Sequence, residues 1–164
     1  MASTSDEVKP LDVDKGNLIP RQYSGDLRSF VMVDAEMRPI AEGVKFSDGR
    51  VVVSRKGGRV EERYADIATL VEEWHGRGML LWCADSPEPA LAPRRFIFKR
   101  AVDSTGFSGP GIALEGVRFS HGGVRLMWLG ELRSLVEWAS IEEAITTHGH
   151  SGDTVIHWLD QRRS

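Results

Sequence analysis

Two stretches in the second half of the chain carry residue types that could do chemistry. The first is residues 103–111, DSTGFSGPG, in which glycines are interspersed with hydroxyl side chains. Backbone amides in a loop of this composition can cradle an anion such as a phosphate group. No lysine and serine of a nucleotide-phosphate loop follow the last glycine, so a long turn with a bulge is the competing interpretation. The candidate binding residues of this loop are Asp103, Thr105, Phe107 and Ser108.

The second stretch is residues 148–154, HGHSGDT, which adds His148 and His150 as candidate binding residues. Histidine and carboxylate side chains build metal sites and act as general acids or bases. Here the two histidines stand close together at a predicted helix end, where their side chains diverge. Cys83 is the only cysteine, so no cysteine pair completes a tetrahedral site. We therefore expect no metal, no cofactor and no catalytic residue, with His148 instead partly buried at the helix end.

The composition indicates an ordinary globular protein and argues against several classes of partner. The chain has 21 basic and 24 acidic side chains, which are interspersed and give a net charge of −3. This balance predicts no binding to nucleic acid or to an anionic membrane. No apolar run approaches the roughly 18 residues of a membrane span. The polar start MASTSDEVKP is not typical of a secretory signal. With a single cysteine and no such signal, we expect a cytoplasmic location.

An internal repeat is the strongest signal in the chain. The segment EGVKFSDG at residues 42–49 aligns with EGVRFSHG at residues 115–122, and six of the eight pairs are identical. The same order of features continues to Trp82, which meets Trp158. The sequence therefore predicts two divergent copies of one unit.

Each copy is predicted to form a hairpin, further strands and one helix in the same order. The predicted strands cover residues 30–33, 43–46, 51–54, 60–64 and 79–83 in copy one, and 96–99, 116–119, 124–128, 135–138 and 154–159 in copy two. The apolar stripes of the two helices are Ile67, Leu70, Val71 and Trp74, and Ile141, Ala144, Ile145 and His148. Asp66 and Ser140 are placed to cap the helix N-termini. Gly76 and Gly149 are placed to end the helices in the left-handed conformation.

The predicted fold class is α+β. A helix with one apolar stripe and an antiparallel sheet with one apolar face bury each other, so each copy is expected to be a two-layer unit. Units of about 60 residues are marginal alone. The copies are therefore expected to pack about a pseudo-twofold axis with Trp82 and Trp158 in a shared core, or to pair with another chain. The predicted organisation is a flexible N-terminal arm at 1–27, copy one at 28–85, a proline-rich linker at 86–94 and copy two at 95–164.

Several motifs of the second copy occur together in a known family. They are Phe96, residues 103–111, residues 115–120, Trp128 and residues 148–154. On these motifs copy two resembles a small domain of unknown function found in actinobacterial, haloarchaeal and actinophage proteins. Copy one matches only through the hairpin, the helix and the final strand, and it lacks the glycine-rich loop and the His-Gly-His segment. No activity accompanies the resemblance, which implies a bacterial or phage protein of the cytoplasm.

Two classes of function follow from these observations. We favour a non-enzymatic protein-binding or regulatory module, such as a phage or mobile-element accessory protein acting on a host protein, because a degenerate duplicate offers surface more readily than chemistry. Its partner is then another protein or a second copy of this chain. The alternative is a small-ligand or phosphoryl-handling protein that uses the loop at 103–111 with His148 and His150. That alternative requires the loop and the histidines to share one cleft.

Overall fold

In a computed structural model, the described residues form two antiparallel five-stranded sheets, each with one helix, and the fold is α+β. The structure describes residues 23, 25–55, 57–83, 93–100, 111–149 and 152–160. The first unit consists of β1 (Arg28–Val33), β2 (Pro39–Lys45), β3 (Val51–Arg55), β4 (Glu61–Tyr64), α1 (Ile67–Glu73) and β5 (Met79–Trp82). The second unit consists of β6 (Arg94–Arg100), β7 (Gly111–Arg118), β8 (Val124–Trp128), β9 (Leu135–Trp138), α2 (Ile141–His148) and β10 (Thr154–Trp158).

The two sheets share one strand order. The first runs β4-β3-β2-β1-β5 and the second β9-β8-β7-β6-β10, with every neighbouring pair antiparallel. In each unit the helix carries the chain from one edge of the sheet to the other, so that the last strand pairs with the first. The described part of the chain therefore has four edge strands, namely β4, β5, β9 and β10.

Both predicted helix N-caps are confirmed. The Asp66 carboxylate accepts a hydrogen bond from the backbone N–H of Thr69 at 2.8 Å. The Ser140 hydroxyl accepts one from the N–H of Glu143 at 3.2 Å. Each side chain thereby satisfies a donor of the first helical turn that has no partner within the helix. Neither helix in the described residues is long and apolar enough to cross a membrane.

A left-handed glycine ends the first helix but not the second. Gly76 has a φ of 76°, as the left-handed prediction requires. The prediction for Gly149 is wrong, because its φ is −72° and its N–H donates to the carbonyl of Ile145 at 2.7 Å. The chain there continues in the right-handed conformation, and the positive φ falls instead on Gly152 at 99°.

Each helix covers the outer face of its own sheet. In the first unit Leu70 and Trp74 of α1 are buried against β1 and β3, while Ile67 is partly buried. The predicted apolar stripe is wrong at Val71, whose side chain is half exposed. In this short helix, Leu70 and Trp74 supply the buried contacts with the sheet. In the second unit Ile141 and Ala144 are buried in the same way.

A third apolar core lies between the inner faces of the two sheets. It contains Leu27, Val44, Phe46, Val52, Val117, Phe119 and Met127, and Tyr23 packs against it. The placement of Trp82 and Trp158 in a shared core is therefore wrong. Strand register pairs Trp82 with Phe30 and Trp158 with Phe96, which turns both indoles towards the helices and into separate outer cores.

Truncating Trp158 to alanine should destabilise the protein by about 3–5 kcal/mol. The ring is 3% exposed and packs edge-on against Phe96, with 5.4 Å between the ring centroids. Chemical denaturation measures the change, with Leu132→Ala as the control because that side chain is 90% exposed. The control should stay within about 0.5 kcal/mol of the parent. Equal losses in both variants would contradict the placement of Trp158.

Candidate functional site

Most residues of the predicted binding site lie outside the described part of the chain. Asp103, Thr105, Phe107, Ser108 and His150 belong to this group. His148 is described and lies at the end of α2. The convergence of the glycine-rich loop with the His-Gly-His segment therefore stays a prediction.

The His148 ring packs between two indoles at the end of the second outer core. Its centroid lies 5.2 Å from that of Trp128 and 5.4 Å from that of Trp138, and both contacts are edge-on. The imidazole is thus half-buried at the position that Trp74 occupies in the first unit. Its aromatic contacts give it a packing role at the helix end.

Two buried carboxylates join the sheets by exchanging hydrogen bonds. Glu115 of β7 accepts from the backbone N–H and the hydroxyl of Ser47, both at 2.6 Å. Glu42 of β2 accepts from the N–H of Ser120 at 2.7 Å and from its hydroxyl at 2.8 Å. Each carboxylate therefore receives its donors from the hairpin of the other unit. Hydrogen bonds from N–H and O–H groups are what a buried carboxylate needs to remain charged.

The exchange is unequal at one point. The Tyr23 hydroxyl donates a further hydrogen bond to Oε2 of Glu115 at 2.6 Å. Burial and this carboxylate raise the pKa of Tyr23, which keeps the hydroxyl protonated as a donor. Oε2 of Glu42 is buried and has no hydrogen-bond partner among the described residues. Burial accordingly raises the pKa of Glu42.

The six identical pairs of the repeated segment all have structural tasks, and four of the pairs lie where the two sheets meet. The glutamates and serines make the exchanged hydrogen bonds, and the valines and phenylalanines fill the core between the sheets. Gly43 and Gly116 lie under the rings of Phe30 and Phe96, where a Cβ would approach ring carbons to 2.2 and 2.6 Å. The last glycine of each segment takes a φ of 96° in the hairpin turn. The repeated motif is therefore structural.

A serine–histidine contact also crosses between the units. Nε2 of His121 lies 3.0 Å from the hydroxyl of Ser54, and Nδ1 accepts from the N–H of Gly123 at 3.2 Å. Burial and the nearby Arg125 lower the pKa of His121, so the ring is neutral at pH 7. With Nδ1 accepting, the ring proton sits on Nε2 and donates to Ser54. A general base needs the opposite arrangement, so this contact holds the units together and does not activate the serine.

An open cleft of about 340 Å3 lies beside this histidine. Its walls are formed by His121, Gly123, Arg125, Glu137, Trp138 and Ala139. Nε of Arg125 donates to Glu61 of the first unit at 2.6 Å. Glu137 is more loosely held, 3.6 Å from Nε of Arg125 and 3.4 Å from the guanidinium of Arg63. The cleft therefore has the guanidinium of Arg125 in one part of its wall and the indole of Trp138 in another.

The described residues contain one thiol and no cluster of metal-ligating side chains. No group of three or more histidine, cysteine, aspartate and glutamate side chains in the described ranges could hold a metal ion. Burial raises the pKa of the Cys83 thiol to about 11, which keeps it protonated at neutral pH.

Sequence reasoning missed the cleft, although the repeat contained a signal for it. His121 and Gly123 stand where the first unit has Asp48 and Arg50. At these positions the first unit has two charged side chains, whereas the second has a neutral histidine and a glycine without a side chain. The cleft lies beside these two residues of the second unit.

These contacts define a small α+β protein whose two sheets are joined by buried polar groups. Residues 93–160, less than half of the chain, match the model of a family described as Acb5 phage protein. The second unit is thus similar to a small phage-associated domain. No curated protein and no solved structure matches the chain.

Proposed function

We infer that the two units are diverged copies of one ancestral unit related by a pseudo-twofold axis. The common strand order, the repeated segment and the exchanged glutamate–serine hydrogen bonds support this relation. So does a matched pair of cation–π contacts. The guanidinium of Arg28 lies 3.8 Å from the ring centroid of Trp82, and that of Arg94 lies 4.0 Å from that of Trp158.

We propose that the protein is a phage accessory protein that acts without catalysis, by docking on a host protein through the edge strand β5. The observation that carries the proposal is the exposure of this strand. Met79 is 51% exposed, and Leu80, Leu81 and Trp82 are only half-buried. Among the described residues β5 pairs with β1 alone, so its outer edge offers N–H and C=O groups to another strand.

The other edge strands are less suited to this role. β4 has the sequence EERY, and β9 carries Glu137 at its exposed position. Charged side chains on an edge oppose pairing with a second chain. β10 is uncharged, but Thr154, Ile156 and Trp158 are buried in its own unit. β10 also exposes one apolar side chain, Val155 at 41%. Among the edge strands of the described residues, β5 is the one in which all four side chains are apolar and at least partly exposed.

Strand addition explains how such an edge recognises a partner. An extended segment of the host protein would hydrogen-bond along β5 and extend the sheet, while its side chains contact Met79 and Leu81. Backbone hydrogen bonds supply affinity in this mode and side-chain pockets supply specificity.

Met79→Lys should weaken docking while leaving the fold intact. A lysine on an exposed edge introduces a charge that an added strand would have to desolvate. A photo-crosslinking residue at position 79 would identify the partner, and binding would then be measured with both purified proteins. We expect at least about a tenfold loss of affinity, equivalent to about 1.4 kcal/mol.

Leu132→Lys is the matched control, because this leucine is exposed on the turn between β8 and β9 and not on an edge strand. Unchanged binding in the control and lost binding in Met79→Lys would support the proposal. The reverse result would move the docking surface to the turn. Conversion of a dimer to a monomer by Met79→Lys, measured by light scattering, would show that β5 pairs with a second copy of this chain.

A small-ligand or phosphoryl-handling function is the second candidate. It is favoured by the position of the family match, which falls on the half that carries residues 103–111 and His148. In that case the glycine-rich loop would bind the ligand and the histidines would contact it.

A further inference from the structure

We infer that the cleft beside His121 and Arg125 binds an oxyanion, the carboxylate or phosphate group of a small molecule. This site is separate from β5 and independent of the docking function.

The first evidence comes from comparing Arg50 and Gly123, which occupy equivalent positions at opposite ends of the contact between the two units. At one end Arg50 donates to Asp48 at 2.6 Å and to the carbonyl of Arg133 at 3.2 Å, so its side chain spans to the turn of the other unit. At the opposite end Gly123 replaces the arginine and leaves space. The first unit thus serves as a reference for the second, and the cleft lies at the end where the arginine is absent.

The second evidence is the change of charge at the next position. Val52 is buried in the core between the sheets, whereas the equivalent Arg125 extends its guanidinium to the cleft wall. Its side chain is 14% exposed. A buried arginine in place of a valine is costly unless its donors are used. Glu61 contacts both Nε and Nη2, and the carbonyl of Val124 accepts from Nη1. A guanidinium has two N–H groups on each Nη atom, so within the described residues these contacts leave one N–H of Nη1 and one of Nη2 for a ligand.

The third evidence is the carboxylate that already occupies this place. Glu137 lies between Arg63 and Arg125 at 3.4 and 3.6 Å, distances longer than those of a good charged hydrogen bond. Its side chain is 62% exposed and can turn into solvent. A ligand oxyanion can therefore take its place beside both guanidinium groups. The cleft volume of about 340 Å3 leaves room for the body of a small molecule against Trp138 and Ala139.

Glu137→Gln should tighten oxyanion binding, because the substitution removes the competing carboxylate. The probes are inorganic phosphate and, separately, acetate, titrated into the isotope-labelled full chain at pH 7 and constant ionic strength. We expect saturable NMR shifts at the backbone amides of Gly123 and Ala139. The dissociation constant should fall about two- to fivefold in Glu137→Gln, the range for an exposed ion pair. Arg63→Gln should raise it by a similar factor.

Glu72→Gln is the control, because it changes the net charge equally at an exposed position of α1 in the other unit. A preference for phosphate over acetate would indicate a phosphate-bearing ligand, and the reverse a carboxylate. Absence of saturable shifts at the cleft with both anions, in the parent and in Glu137→Gln, would overturn the inference. Equal tightening by Glu72→Gln would overturn it as well. Shifts confined to residues 103–111 would transfer anion binding to the glycine-rich loop and also overturn it.

Discussion

Gly43→Ala is expected to destabilise the protein by about 3 kcal/mol, at the upper end of the cost of overpacking a core. The added Cβ would lie 2.2 Å from Cζ of Phe30, which is far shorter than the contact distance of two carbon atoms that are not bonded to each other. The ring cannot move away easily, because Phe30 is fully buried and packs edge-on against Trp82. Gly116→Ala should have a similar effect through Phe96, where the corresponding distance is 2.6 Å.

A double-mutant cycle isolates this contact. In a Phe30→Leu background the smaller side chain leaves room for the Cβ, so Gly43→Ala should cost at least about 1 kcal/mol less than in the parent. Gly130→Ala is the control, since a Cβ there would meet no heavy atom of the described residues within 4 Å, apart from its chain neighbours. Chemical denaturation gives all four free energies of unfolding. An additive cycle, or a loss in Gly130→Ala equal to that in Gly43→Ala, would contradict the close approach of Phe30.

The local elements could be predicted because their signals are local. Asp66 and Ser140 precede apolar stripes of helical spacing, and both cap helices as expected. All ten strands of the described residues overlap their predicted positions, because alternation and turn residues are local signals. The predicted starts of β2 and β7 are wrong, since these strands begin at Pro39 and Gly111 and not at residues 43 and 116. The error at Gly149 has the same origin: a glycine at a helix end permits the left-handed conformation without requiring it.

The arrangement of the two units could not be predicted in the same way. Alternation indicates that Trp82 and Trp158 are buried, but a sheet covered on both sides has two apolar faces. The sequence contains no local signal that separates the face under the helix from the face under the other sheet. The repeated segment was visible as a repeat, whereas its role in joining the sheets depends on contacts between residues far apart in sequence, such as Glu115 with Ser47.

The cleft was missed for a related reason. Its walls come from β8, β9 and the hairpin before them, and its charge is set by Glu61 and Arg63 from the other unit. Because the residues at the cleft come from separate strands of both units, their positions in the sequence form no motif that indicates a site. A difference between the two units, Gly123 in place of Arg50, distinguishes the end where the cleft lies.

The two buried glutamates should respond differently to replacement by glutamine. Glu115→Gln is expected to destabilise the protein by about 3 kcal/mol, because hydrogen bonds to a buried charged group are worth about 1.5–3 kcal/mol each. The glutamine NH2 group would replace an oxygen that accepts from Ser47 or Tyr23. Glu42→Gln should be tolerated, because Oε1 alone accepts both hydrogen bonds from Ser120 and the amide oxygen can keep them.

The pH dependence of stability separates the two sites further. Burial raises the pKa of Glu42 above its value in the unfolded chain, so the folded protein favours the protonated form. Its contribution to stability is therefore full below the unfolded pKa and is lost as the pH rises through the folded pKa. Glutamine does not titrate, so Glu42→Gln should gain stability relative to the parent between pH 5 and pH 8.

Chemical denaturation of the parent and both variants at these two pH values tests the contrast. At pH 8 Glu42→Gln should be at least as stable as the parent, by up to about 1 kcal/mol, since a buried and partly unpaired carboxylate is costly to ionise. Glu115→Gln should be less stable than the parent at pH 8, because the parent carboxylate has donors at both oxygens. If the two glutamine variants lose stability equally and in parallel at both pH values, the unequal hydrogen bonding of the two carboxylates is wrong.

Replacing the serine donors tests the same hydrogen bonds. Ser47→Ala should cost more stability than Ser120→Ala at pH 8.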